Sequence, residues 1–170
     1  MTDLKAEWTK DRSFDRYARL VRNTLGVPTS TVSLIDDGLQ WTPGASGVAE
    51  PYQSTRTTPL EFSLCRFVVA GDRPLVFNDT REVPLVKQSK AVTEMGLIAY
   101  AGIPLRDVNG QTIGALCAAS TEPREWSEQD LANLSDLADA CSADIAGRQL
   151  ADEKANGWPG ATVGADDLSG

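Results

Sequence analysis

Few side chains in this chain of 170 residues can act as nucleophiles or ligands. There are three cysteines, Cys65, Cys117 and Cys141, far apart and odd in number. They form neither a CxxC pair nor a disulfide framework, so a reducing, cytoplasmic setting is expected. Cys65 is followed by Arg66, whose guanidinium would favour the thiolate if it pointed back at the sulfur. It reads either as a redox-sensitive thiol or, by default, as a small apolar residue filling a gap between helix and sheet. Cys117 lies in the apolar run Ala115-Leu-Cys-Ala118, and Cys141 lies on the apolar stripe of a helix. Both are expected to be inert packing. Histidine is absent. That excludes His-ligated zinc or haem, Ser-His and Cys-His nucleophiles, and an imidazole switch. No metal or cofactor is expected.

A formal net charge of -8 with no clustered Lys/Arg stripe argues against nucleic acid or an anionic membrane as partner. No apolar run approaches the ~18 residues that would span a bilayer, and the charged N-terminus lacks a signal-peptide core.

These residues must be placed by the elements around them. Ile98 to Ala119 holds two apolar runs around Asn109-Gly110, the strongest short-range hairpin signal in the chain. Both runs are apolar at nearly every position, which predicts central strands covered on both faces. Phe14, Tyr17, Ala18, Val21 and Leu25 recur at helical spacing, with Gly26 and Pro28 as stop signals, predicting a helix from about Ser13 to Leu25. Residues 1–12 read as a helical extension. Thr29 to Ile35 alternates as a strand, Asp36-Asp37-Gly38 turns, and Leu39 to Thr42 returns. Residues 43–60 read as a long loop.

Thr58-Pro-Leu-Glu61 predicts a helix start, with Thr58 as cap, and Gly71-Asp72 ends that helix. Leu75 to Phe77 is a short strand. Asn78-Asp-Thr80 caps a further turn, and Val86 to Met95 holds another. Ser127-Glu-Gln-Asp130 is a capping-box variant opening a helix from Glu128 to about Leu150, with Leu131, Leu134, Ala138, Cys141 and Ile145 as its stripe. Asp136, Asp139 and Asp144 read as its solvated face. Residues 151–170, rich in Gly, Ala, Asp and Pro, read as a disordered tail. The first and last long helices must cover one side of the sheet.

Several stretches together resemble GAF domains over roughly residues 13–150. They are Val27-Pro-Thr-Ser-Thr-Val-Ser-Leu-Ile-Asp-Asp-Gly-Leu-Gln-Trp41, Phe62-Ser-Leu-Cys65, Arg73-Pro-Leu-Val76 with Asp79, Tyr100-Ala-Gly-Ile-Pro-Leu105, Ile113-Gly-Ala-Leu-Cys117 and Arg124-Glu-Trp-Ser127. The resemblance implies an α+β fold. A central antiparallel sheet has N- and C-terminal helices on one face, and loops and short helices roof a pocket on the other. It implies a cytoplasmic sensor or regulatory module in signal transduction, taking an unidentified small molecule or a protein partner. A homodimer through the terminal helices is expected, Leu137 and Ala140 forming a second apolar strip.

Trp41, Phe62, Phe77 and Tyr100 are candidate pocket aromatics, with Phe67 as a further one. Cys65 is the candidate thiol. Asp79 and Arg81 stand where family pockets carry polar groups. A bilin photoreceptor is disfavoured because no His accompanies Cys65, and the cyclic-nucleotide motif of phosphodiesterase members is missing. The enzymatic branch, free methionine-R-sulfoxide reductase, would need a second Cys between Glu82 and Gly96, and none is there. A non-catalytic role is expected, with that reductase or a ligand-free interaction scaffold as alternatives.

Overall fold

A computed structural model describes residues 2–36 and 38–155. Among these, six strands form one antiparallel sheet: β1 (Thr29–Asp36), β2 (Leu39–Ser46), β3 (Thr57–Pro59), β4 (Leu75–Phe77), β5 (Ala99–Arg106) and β6 (Thr112–Ser120). Their spatial order is β3-β2-β1-β6-β5-β4. Six α-helices accompany them: α1 (Thr2–Asp11), α2 (Asp15–Leu25), α3 (Tyr52–Thr55), α4 (Cys65–Gly71), α5 (Lys90–Thr93) and α6 (Glu128–Ala155).

The uninterrupted apolar runs of β5 and β6 are buried on both faces, as expected of central strands. Period-two alternation sends their side chains into two separate cores. Val32, Leu34, Ile103, Leu105 and Leu116 meet Phe14, Val21 and Leu25 of the α2 segment and Leu134, Ala138, Cys141 and Ile145 of α6. On the opposite face Tyr100, Ala115, Cys117 and Ala119 meet Leu64, Cys65, Val68, Val86 and Val92 from the short helices and their connections. The α+β arrangement implied by the resemblance is therefore present, with both long helices on one side.

The hairpin turn differs in detail. Only Gly110 takes a positive φ, 79°, while the Asp107 carboxylate accepts from the Asn109 and Gln111 amides and fixes the loop. The capping box at α6 is formed reciprocally: the Asp130 amide donates to Ser127 Oγ at 3.0 Å, and the Ser127 amide to Asp130 Oδ2 at 3.1 Å. The turn between β1 and β2 includes Asp37, which lies outside the described residues.

Arg12 at φ 65° separates α1 from α2, and Trp8 folds back onto Phe14 with ring centroids 5.7 Å apart. Three expectations are corrected. Residues 43–60 are not one loop. Strand β2 continues to Ser46 through a bulge opposite Ser33, which tolerates Pro43, and α3 and β3 follow. Thr58 pairs with Gln40 in β3 instead of capping a helix, and α4 starts at Cys65. The last helix reaches Ala155, five residues past Leu150 and into the span read as tail; the rest of that span, 156–170, lies outside the described residues.

Asp144 is no bystander either. Its carboxylate accepts from Tyr17 Oη at 2.9 Å and from Arg148 Nε at 2.9 Å. Arg148 also reaches Asp11 and Ser13 and stacks on Phe14, 4.2 Å from the ring centroid. Leu137 is half-buried against the helical core, whereas Ala140 is exposed.

The segment after β2 is anchored around the sheet edge by one ion pair. Arg56, 4% exposed, forks onto Asp15 at 2.7 and 3.1 Å and donates to the Gln53 and Pro43 carbonyls. Burial opposes ionisation of Asp15. The hydrogen bonds from Arg56 and the Ala45 amide outweigh it and hold the carboxyl below its ordinary 3.8. Asp144 is likewise lowered: burial opposes, and Arg148 and Tyr17 prevail.

We predict that Asp15→Ala, which strands the buried guanidinium, lowers unfolding free energy by about 3 kcal/mol in urea titrations. Because both carboxyls bind protons more weakly in the folded state, the unfolded chain takes up protons first as pH falls. Their stabilisation is complete above the ordinary value of 3.8 and is lost as pH drops through the lowered folded values. Urea midpoints of Asp15→Asn should accordingly fall less steeply in acid than those of the unaltered protein.

Candidate functional site

The face of the sheet away from α2 and α6 is not covered completely. Between it and the segments 47–52, 58–65 and 94–97 lies a cavity of about 680 Å³. Its floor comes from alternate positions of the strands: Thr29 and Thr31 of β1, Gln40 and Thr42 of β2, Tyr100 of β5, and Cys117 and Ala119 of β6. Glu50, Tyr52, Phe62, Ser63, Cys65 and Glu94 contribute to the walls and roof. The roof is tied down by Gln53, which accepts from the Val48 amide at 3.1 Å and donates to the Ala45 carbonyl at 3.2 Å.

The floor is polar where it would otherwise be greasy, and its groups satisfy one another. Thr31 Oγ1 lies 2.8 Å from Ser33 Oγ and 3.0 Å from Cys117 Sγ. Ser63 donates to the Gln40 side-chain carbonyl, whose amide reaches Thr42 at 3.4 Å. Tyr100 donates to Cys65 Sγ at 3.2 Å. The tyrosine lies flat along its strand because position 102 is glycine: a Cβ there would sit 2.8 Å from two of its ring carbons.

Cys65 and Cys117 are neighbours across this network, both buried and both unpaired by any disulfide. The Cys117 thiol, hydrogen-bonded to Cys65, does most to draw the Cys65 pKa down. Burial opposes it, and bonds from Tyr100, Ser33 and Thr31 assist, leaving Cys65 at about 7. Cys117 is pushed well up, first by its bond to Cys65 and then by burial. Arg66 has no part in this. Its guanidinium turns to the Ser63 carbonyl and stacks on Phe67 at 4.5 Å.

Of the eight residues singled out from sequence, Phe62, Cys65 and Tyr100 line the cavity together, whereas Phe67 packs against the core beside it and does not line it. Trp41 points the other way, against the helical core beside Leu34, because it alternates with Gln40 and Thr42. Phe77 stands behind the site, stacked on Tyr100 at 6.3 Å. Asp79 caps the turn Thr80–Glu82 and pairs with Arg81 at 2.7 Å, and neither lines the cavity.

The hydroxyls and amide of the floor were not anticipated. The available signal was the recurrence of Thr29, Thr31 and Ser33, and of Gln40 and Thr42, at every second position. Cys117, expected as inert packing, instead faces the cavity. Among the described residues no group of three or more His, Cys, Asp or Glu could hold a metal ion, and no helix is long and apolar enough to cross a membrane.

This architecture has known counterparts. The family model for the GAF domain matches residues 10–145, and the chain belongs to that family, whose members occur in sensor and signalling proteins. A cyclic di-GMP phosphodiesterase of Pseudomonas aeruginosa is 27% identical over 130 residues, 75% of this chain but only 21% of that protein's length. Among solved structures, the GAF domain of PixJ from Thermosynechococcus elongatus, in its blue-light absorbing form, superposes with a TM-score of 0.67 at 20% identity, covering 88% of this chain and 94% of that one. The free methionine-R-sulfoxide reductase of Neisseria meningitidis, in complex with its substrate, superposes with a TM-score of 0.64 at 19% identity, covering 87% and 86%.

Since the thiolate is the nucleophile, alkylation of Cys65 by iodoacetamide should accelerate as pH rises through about 7. Tyr100→Phe, which removes one donor, should move that midpoint upward. Peptide mapping should show Cys141 unreacted over the same range, its thiol held protonated by burial.

Proposed function

We propose that this GAF domain is a non-catalytic sensor whose cavity takes an uncharged or cationic small molecule. The observation that carries this reading is the lining. Thr29, Thr31, Gln40, Thr42, Thr58 and Ser63 offer hydroxyls and an amide, Tyr52, Phe62 and Tyr100 offer aromatic surface, and Glu50 and Glu94 are the charged groups. No lysine or arginine lines the cavity among the described residues. A phosphate-bearing ligand would enter a site with two carboxylates and no compensating cation, an arrangement that electrostatics opposes. Cyclic di-GMP, the compound in the name of the Pseudomonas relative, is such an anion, and the chain matches only 21% of that protein.

The size of the cavity falls within the range typical of small-molecule sites, roughly 300–1,000 Å³. Its mix of aromatic walls and a few converging polar groups is typical of them too. The output we assign to the opposite side of the sheet, where Leu20 and Leu150 are exposed on α2 and α6 and a second copy could pack.

A competing reading, a thiol-dependent reductase acting on a small sulfoxide, draws on one observation: Cys65 has a second thiol beside it. Native mass spectrometry of protein purified from its own host separates the two. The sensor reading expects a retained neutral or cationic molecule, lost in Thr31→Phe, and no turnover of free methionine sulfoxide. A retained nucleotide anion would overturn the assigned ligand class, and turnover abolished by Cys65→Ser would overturn the non-catalytic role.

A further inference from the structure

The neighbouring cysteines have chemistry of their own. They come from elements 52 residues apart in sequence, α4 and β6, and meet only because the helix packs on that face of the sheet. Both line the same cavity, which gives a small reagent a route to sulfurs that are otherwise almost fully buried, at 3% and 5% exposure. Each sulfur has an oxygen partner: Tyr100 Oη at 3.2 Å for Cys65 and Thr31 Oγ1 at 3.0 Å for Cys117. The third cysteine, Cys141, lies in the separate helical core behind the sheet.

We propose that Cys65 and Cys117 form a hydroperoxide-reactive dithiol, in which Cys65 is the attacking sulfur and Cys117 the resolving one. The Cys65 sulfur attacks the terminal oxygen of ROOH. The O–O bond breaks, the alkoxide leaves with the bonding pair and takes the thiol proton as ROH, and Cys65 becomes the sulfenic acid. The Cys117 sulfur then attacks the Cys65 sulfur. The S–O bond breaks, the oxygen leaves with its own proton and that of Cys117 as water, and the disulfide forms. Two thiols lose two electrons and two protons, and the hydroperoxide is reduced to an alcohol and water.

Two features assign the order of attack. Tyr100 donates a hydrogen bond that supports the sulfur anion of Cys65. Cys117 keeps its proton more tightly than its neighbour. The linkage would join α4 covalently to the cavity floor and remove the acceptor that holds the Tyr100 hydroxyl. It does not depend on the cavity having any resident ligand.

The test uses the full chain, reduced and desalted, exposed to stoichiometric hydrogen peroxide at neutral pH. Intact mass should fall by two hydrogens, and non-reducing peptide maps should join the Cys65 and Cys117 peptides, reversed by dithiothreitol. In Cys117→Ser, Cys65 should stop at the sulfenic acid and be trapped by dimedone. In Cys65→Ser, oxidation of Cys117 should be lost. Cys65 in the folded protein should react roughly tenfold faster than the same residue in the urea-unfolded chain, the gain expected of a thiol that is about half ionised at neutral pH where an ordinary thiol is almost wholly protonated.

Cys117→Ala and circular dichroism cover the case in which the serine variant fails to fold. Three results would overturn the proposal: a crosslink involving Cys141, a disulfide that persists in Cys117→Ser and Cys117→Ala, or faster oxidation in the unfolded chain than in the folded one.

Discussion

Burial of three strands on both faces governs this molecule. In β1, β6 and β5, successive side chains enter opposite cores, so neither face can be left to solvent. Leu34, Leu105 and Leu116 are almost fully buried on the helical side, each contributing on the order of 2 kcal/mol by removal from water. Helices α2 and α6, with Trp8 of α1, cover that side. The other is served by α4, α5 and short turns, which close over Val68, Val86 and Tyr100 but do not tile the whole surface. The cavity is the part of the sheet that the short elements leave uncovered.

That incomplete cover explains why the floor is polar. A hydroxyl buried without a partner is costly, and one facing a chamber must be paired within the protein or with whatever enters. Here pairing within the protein is extensive: Thr31 with Ser33 and Cys117, Ser63 with Gln40, Tyr100 with Cys65. The network presets the positions of its members and leaves the two thiols adjacent among hydroxyl groups.

The roof depends on a charge pair at the far side of the sheet. Arg56 in its left-handed conformation connects α3 and β3 to Asp15 at the start of α2, so the cavity wall is fastened to the helical layer around the β2 edge. At the opposite end of the sheet, Arg124 donates to the Gly26 carbonyl at the end of α2, and Trp126 donates to the Phe77 carbonyl at 3.0 Å. These contacts fix the connection from β6 into α6 against both layers.

Local chemistry was enough to read the hairpin of β5 and β6, the stripe and stop of α2, the capping box of α6 and the double-sided burial. Each depends on turn residues, caps or periodicity within a dozen neighbouring positions. The resemblance over residues 13–150 likewise placed the two long helices on one face. The bulge that carries β2 past Pro43 could not be read, because strand pairing with β1 overrides a sequence that looks like a breaker. Phe62, Cys65 and Tyr100 were found because aromatic and thiol side chains stand out. Trp41 stands out equally but faces the wrong way, since the face of the sheet that becomes a cavity depends on which helices cover it. The pairing of Cys65 with Cys117 was beyond sequence altogether. Period-two alternation fixes which strand residues share a face, but only the docking of α4 on that face decides which helix residue meets them.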